Sequence, residues 1–357
     1  MQWRSLRDLP GVLTRDLARY RQALSSSGRG HRSDPGGWIS LCNRREHLEF
    51  EPGRAGARCD WQWGSELHAP RVVPQLGRAI MRESLAEWPI EFAGSPRVPI
   101  GEPALSFVIA HSGSERIPQL LRTISTLHAQ QEVPCEVIVV DQSPSPLLAY
   151  LPAPVVYRHL DKESVAPGWR KSWAYNVGAR LARAPLIIFH DGDVCAPSGY
   201  AREVVRALRD DGFGAASLQR FLYYLDQKQT SRLLADECGL ESASPVSVFQ
   251  NWKGGTIAVE RGAFAAIGGF DEGFVDWGGE DDEFYDRCGE IGHCRSGFLP
   301  FVHLWHQPQA LRWASANATI RETLPRLLAR PRAERVMELV QRAWGNPNAP
   351  DPLAGYS

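Results

Sequence analysis

A chain of 357 residues can bury a full core and still carry an appended region. Its 40 Lys and Arg against 41 Asp and Glu, with a pI near 6.8, give no electrostatic basis for a nucleic-acid binder. No apolar run approaches the ~18 residues of a membrane span, and the start, Met1-Gln-Trp-Arg-Ser-Leu-Arg7, lacks the apolar core of a signal peptide, so a cytoplasmic protein is expected. Residues 1–100 read as an N-terminal accessory region whose role the sequence does not reveal, because Gly, Arg, Pro and Ser interrupt every period. Within it, Leu13 to Leu24 suits a helix with Leu13, Leu17, Tyr20 and Leu24 on one face. Ser25 to Gly37 reads as linker, the Trp-containing pieces at 37–41 and 60–64 as short strands, 75–88 as a helix, and 96–103 as a Pro-spaced linker.

At Ala104 an alternating pattern begins. Apolar strands are expected at Leu105–Ala110, Glu136–Val140, Val155–His159, Pro185–Phe189, Gly214–Leu218, Thr256–Val259 and Phe301–His306, with helices between them. Residues 101–310 are therefore expected to form an α/β domain, a mixed, mostly parallel central sheet flanked by helices. Residues 222–250, mixed and polar, read as a loop with one helix that covers the site, and 311–357 as C-terminal helices with a disordered Pro- and Asn-rich tail from Gly345. Seven cysteines without a Cys-x-x-Cys pair fit free thiols in a reducing compartment.

Ligands of such sheets sit at the carboxyl ends of parallel strands. Asp141 stands at one such end, either as an acceptor for a base or ribose or as a turn-capping Asp. His190-Asp-Gly-Asp193 stands at another, and two carboxylates one residue apart can meet a hard cation such as Mg²⁺ or Mn²⁺. The run Trp277-Gly-Gly-Glu-Asp-Asp-Glu283 holds four successive acids that cannot be buried cheaply. They form either a helix start favoured by its dipole or part of a site. His303 and His306, on the last apolar strand, are either core residues or metal ligands.

With these residues in view, the chain resembles a known group. Lys253-Gly-Gly-Thr-Ile-Ala-Val259, Ile267-Gly-Gly-Phe-Asp-Glu272, Trp277-Gly-Gly-Glu-Asp-Asp-Glu-Phe284 and Arg287 resemble the C-terminal catalytic block of beta-1,4-galactosyltransferases and polypeptide N-acetylgalactosaminyltransferases. Upstream, Val108-Ile-Ala110, Arg116, Val139-Val-Asp-Gln-Ser143, Asn176-Val-Gly178 and Asp191-Gly-Asp193 are similar to family-two glycosyltransferases of GT-A fold. The resemblance implies a DxD motif in Asp191 and Asp193, which bind metal or sugar nucleotide. His303, with His306 as the reserve, would complete the metal set. It implies nucleoside contacts at Ala110, His111 and Arg116, a base or ribose contact at Asp141, and a basic residue near the phosphates at Lys171. It makes Asp281 the catalytic base, Gly255, Glu280 and Asp282 donor or acceptor contacts, and Trp277 a ring on which an acceptor sugar stacks. Gln142 and Lys253 depart from the pattern.

The implied reaction is inverting, Mn²⁺- or Mg²⁺-dependent transfer of a Gal, GalNAc or GlcNAc unit from a UDP-sugar to a saccharide or glycolipid acceptor in surface polysaccharide synthesis. No nucleic acid partner or transmembrane segment is expected, and peripheral membrane association is compatible with it. The alternatives are a sugar-nucleotide or glycan binder without catalysis, or a nucleotidyltransferase; the latter calls for a Gly-rich basic loop, of which His111-Ser-Gly-Ser-Glu-Arg116 is a poor version.

Overall fold

The computed structural model describes residues 3–25, 37–59, 65–94, 101–161, 168–251, 253–276, 278–307 and 322–350. Among them the strands are β1 (Leu48–Glu49), β2 (Arg58–Cys59), β3 (Ser65–Glu66), β4 (Leu105–His111), β5 (Cys135–Asp141), β6 (Val155–His159), β7 (Leu186–Asp191), β8 (Val194–Cys195), β9 (Ala215–Ala216), β10 (Gln219–Tyr224), β11 (Ser247–Gln250), β12 (Thr256–Glu260), β13 (His293–Cys294) and β14 (Leu299–His303). The helices are α1 (Trp3–Gly11), α2 (Leu17–Ser25), α3 (His68–Val72), α4 (Pro74–Glu87), α5 (Ile117–His128), α6 (Lys171–Leu181), α7 (Tyr200–Val205), α8 (Gln227–Leu234), α9 (Arg261–Ala266), α10 (Glu280–Arg287), α11 (Leu324–Ala329) and α12 (Arg332–Leu339).

The main sheet has the order β13-β9-β12-β7-β4-β5-β6. Strands β7, β4, β5 and β6 run parallel, and β12 is inserted antiparallel between β7 and β9. Phe107–Ala110 of β4 and Val137–Val140 of β5 are continuously apolar because both faces are covered. Phe107, Ile109, Val137 and Val139 join Leu120 and Ile124 of α5 in one core, while Val108, Ile138 and Val140 join Trp173 and Val177 of α6 in another. Each such side chain removed from water contributes about 1.5–3 kcal/mol. Gly178 lets α6 lie against the sheet, since a Cβ there would sit 2.2 Å from Val108 Cγ1.

A second sheet, β3-β11-β10-β14-β8, pairs β10 with β14 in parallel and its other neighbours antiparallel. The described residues of the N-terminal region close over it. Trp38 packs on Phe221 with ring centroids 5.8 Å apart, and Ser84 Oγ lies 2.8 Å from Tyr223 Oη. The wholly buried Arg220 donates to the carbonyls of Ile39 at 2.8 Å and Leu41 at 2.5 Å. The N-terminal region and the second sheet thus share one hydrophobic cluster.

Several elements differ from expectation. Gly37–Ser40 is a 3-10 turn rather than a strand, while the pieces at 60–64 and most of both expected linkers lie outside the described residues. The segment 222–250 is mostly regular: β10 and β11 pair around α8. It escaped notice because Phe221, Leu222 and Tyr223 are all buried and so show no alternation. The start of the tail is docked, with Trp173 Nε1 donating to Asn346 O at 2.7 Å; residues 351–357 lie outside the described residues. All seven cysteines are free, and among the described residues no helix is long and apolar enough to cross a membrane.

Candidate active site

The acidic turn after β7 is held from several sides. Asp191 N donates to Gly255 O at 2.8 Å. His190 is buried, with Nε2 2.7 Å from Val194 O and Nδ1 2.9 Å from Thr256 Oγ1, which Tyr200 Oη approaches at 2.8 Å. Leu304 N donates to Asp193 O at 2.8 Å, and the antiparallel pairing of β14 with β8 sets His303 opposite Val194. The outcome is a cluster in which Asp193 Oδ2 lies 3.1 Å from His306 Nε2 and Asp193 Oδ1 lies 3.7 Å from His303 Nε2. One ligand atom from each of the three residues falls within 4.8 Å of the others. The His303 ring is stacked on Tyr224, with centroids 4.2 Å apart.

Burial alone would raise the Asp193 carboxyl; His303 and His306, helped by Arg116, outweigh it and hold the group well below the usual carboxylate range. Its Oδ1 is buried and receives no hydrogen bond. An ionised carboxylate oxygen with no donor, facing two imidazoles, fits a divalent cation, because such a cation supplies the missing charge partner. The donor set of two nitrogens and a carboxylate suits Mn²⁺ better than Mg²⁺, which prefers oxygen ligands throughout.

Asp191 belongs to a second group. Lys171 Nζ lies 3.1 Å from Asp191 Oδ1, 3.3 Å from Asp281 Oδ2 and 3.5 Å from Glu280 Oε1. Tyr175, one turn along α6, donates to Asp191 Oδ1 at 2.9 Å. The two aspartates expected to act together therefore face different partners in this structure: Asp193 the imidazoles, Asp191 the lysine. One ammonium serves three carboxylates. Burial, reinforced by Glu280 and Asp191 against the pull of Lys171, pushes Asp281 up to about 8. The acids reach this position through Gly278 and Gly279, whose φ values of 106° and 93° lie in the left-handed region that favours glycine. Asp282 turns aside to Lys253 Nζ, at 2.8 Å.

The remaining expected residues divide. Ala110 pairs with Asp191 across β4 and β7, and Gly255 closes on Asp191 N. His111 is buried, with Nε2 3.0 Å from Gly113 O, and Arg116 ends the following 3-10 turn, half-buried. Asp141 is occupied within its own loop, accepting from Ser143 N at 2.8 Å, Leu147 N at 3.2 Å and Tyr157 Oη at 2.6 Å. That is the turn-capping arrangement. Trp277 lies outside the described residues. Tyr175, His190 and Tyr224 were not anticipated. Tyr175 was findable, since it follows Lys171 by four residues on a helix; Tyr224 was not, because its contact with His303 depends on the pairing of β10 with β14.

Residues 108–268 match the family described as Glycosyl transferase family 2, and residues 237–300 match one described as N-terminal domain of galactosyltransferase. Among curated proteins no sequence matches. Among solved structures, a mannosyltransferase from Pyrobaculum calidifontis in complex with GDP-Man and Mn²⁺ is similar at 15% identity over 75% of each chain, with a TM-score of 0.45. Residues 108–268, which carry the parallel strands and the acidic turn after β7, are thus similar to family 2 glycosyltransferases, and residues 237–300, with the acid-rich helix start at 280, to a galactosyltransferase domain.

Proposed function

We propose that this glycosyltransferase moves a Gal, GalNAc or GlcNAc unit from a UDP-sugar to a hydroxyl of a saccharide or glycolipid acceptor, inverting the anomeric carbon, in surface polysaccharide synthesis at the cytoplasmic side. The observation that carries the reading is the convergence of Asp281, Glu280 and Asp191 on Lys171, with Asp191 two residues before Asp193 of the Asp193, His303 and His306 cluster. Asp193, His303 and His306 would hold a divalent cation, Mn²⁺ before Mg²⁺, which when bound neutralises the departing diphosphate. Asp281 accepts the proton of the acceptor hydroxyl, and its raised pKa makes it a stronger base once ionised. Lys171 remains charged beside it and compensates the carboxylates that surround the reacting centre. In this reading Glu280 and Asp282 contact sugar hydroxyls, Ala110, His111, Arg116 and Gly255 serve the nucleotide, and Trp277, outside the described residues, is the ring for the acceptor sugar.

The test is release of UDP from UDP-galactose, UDP-GalNAc and UDP-GlcNAc, with and without Mn²⁺, in the parent and in Asp281→Asn. Metal-dependent release from the parent, reduced on the order of 10²- to 10⁴-fold in Asp281→Asn, supports the reading. Binding without release points to a glycan or nucleotide binder, and pyrophosphate as product points to a nucleotidyltransferase.

A further inference from the structure

Lys171 begins α6 and Glu280 and Asp281 begin α10, so the geometry of the nest depends on how these two helices are held relative to each other. The C-terminal segment 332–346 lies beyond both family matches, and it grips each helix. On α10, Arg335 Nη1 donates to Glu283 Oε1 at 2.6 Å, its other nitrogen pairs with Asp286, and Arg332 reaches Asp286 at 3.1 Å. Glu283 is only 1% exposed and is shared with Arg287, whose Nη1 also binds the carbonyls of Ile267 at 2.5 Å and Gly269 at 2.7 Å.

On α6, Trp173 Nε1 donates to Asn346 O and Arg180 Nε to Trp344 O, each at 2.7 Å, and the Arg180 guanidinium lies 4.3 Å from the Trp344 ring. Between these grips Gly345 N donates to Glu272 Oε1 at 2.7 Å, and the same oxygen accepts from Asn176 Nδ2 of α6 at 2.8 Å. Guanidinium–carboxylate pairs of this kind fix direction as well as distance. One short stretch of chain therefore links the two helices through directional bonds, of which those of Arg335 to Glu283 and Gly345 to Glu272 are buried.

We propose that residues 332–346 are a brace that sets the separation of Lys171 from Glu280 and Asp281, with Arg335 and Trp344 as positioning residues for sugar transfer. The proposal rests on the transferase reading above. The cation cluster of Asp193, His303 and His306 sits at the start of β8 and the end of β14, away from the two helices the brace grips, so the two can be separated experimentally.

The full chain and its Arg335→Met, Arg335→Lys and Trp344→Leu variants would be compared by three measurements: Mn²⁺-dependent UDP release from the three UDP-sugars, calorimetric binding of UDP with Mn²⁺, and amide hydrogen exchange. Arg335→Met and Trp344→Leu should lose roughly ten- to hundredfold in kcat, as small misplacements of catalytic groups do. UDP affinity should stay within about twofold. Exchange should quicken in 171–181 and 280–287, and Arg335→Lys should recover part of the loss. An unchanged kcat with quickened exchange, or a parallel fall of kcat and UDP affinity, overturns the proposal. If the parent releases no UDP from any donor, the transferase reading fails by itself; the exchange measurement then still decides the brace, which is refuted if α6 and α10 exchange as in the parent.

Discussion

Lys171 Nζ lies 3.3 Å from Asp281 Oδ2, although 110 residues separate the two in sequence. The ammonium is shared with Asp191 and Glu280, so it cannot compensate Asp281 alone, and burial adds to the cost of ionising that carboxyl. With its pKa near 8, the base is mostly protonated at neutral pH. The expected kcat/KM for a UDP-sugar therefore climbs with pH and levels off above about 8, a limb that Asp281→Asn removes. Linkage has the opposite sign. The folded state keeps a proton that the unfolded state has lost, so this group's contribution to stability is complete below 3.8 and fades as pH rises through about 8. Rates and denaturant midpoints across pH 5–10 (roughly the range bracketing the carboxylate and this raised value) measure both trends.

The imidazole pair should govern response to metal. In His303→Ala and His306→Ala, and more so in Asp193→Asn, Mn²⁺ should no longer raise the melting temperature. In the parent, ion at about a hundred times its Kd adds ~2.7 kcal/mol by mass action. Thermal unfolding with and without Mn²⁺ is the measurement, and a variant that keeps the parent's full shift removes its residue from the ligand set.

Gly279 enters α10 at φ 93°, so Gly279→Ala should cost about 1–2 kcal/mol by urea unfolding. Because this residue is the N-cap of the helix that carries Asp281, turnover should fall more than stability predicts, with UDP binding retained.

Asp141 offers a contrast. Its three hydrogen bonds tie the loop after β5 to β6, so Asp141→Ala should destabilise the protein by about 1–3 kcal/mol as Ser143 N and Tyr157 Oη lose their acceptor. Comparison of urea midpoints with UDP affinity shows how far this residue also serves nucleotide binding: a loss of affinity beyond what stability explains marks a direct contact.

What could be read from the residues follows from how local the information is. β4 and β5 were legible as continuous apolar runs because helices cover both faces. Asp281 and Asp193 stood out because charge is costly to place anywhere but a site. The division of Asp191 from Asp193 was not legible, since it depends on Lys171 arriving from α6. Two-residue strands such as β3 and β8 carry no period at all. The role of Arg220 was equally hidden, because two of its acceptors are backbone carbonyls 179 and 181 residues away, and carbonyls leave no mark on a sequence.

That same arginine limits how the chain can be shortened. Deleting the first hundred residues would take away the carbonyls of Ile39 and Leu41 and the indole that shields Phe221, leaving a cation enclosed by the second sheet with both of its carbonyl acceptors gone. A trimmed enzyme would need an apolar residue substituted at 220 and polar ones along the face of β10 before it could stay in solution. The described residues before 95 are, in practice, the lid on the half of the molecule that supplies His303.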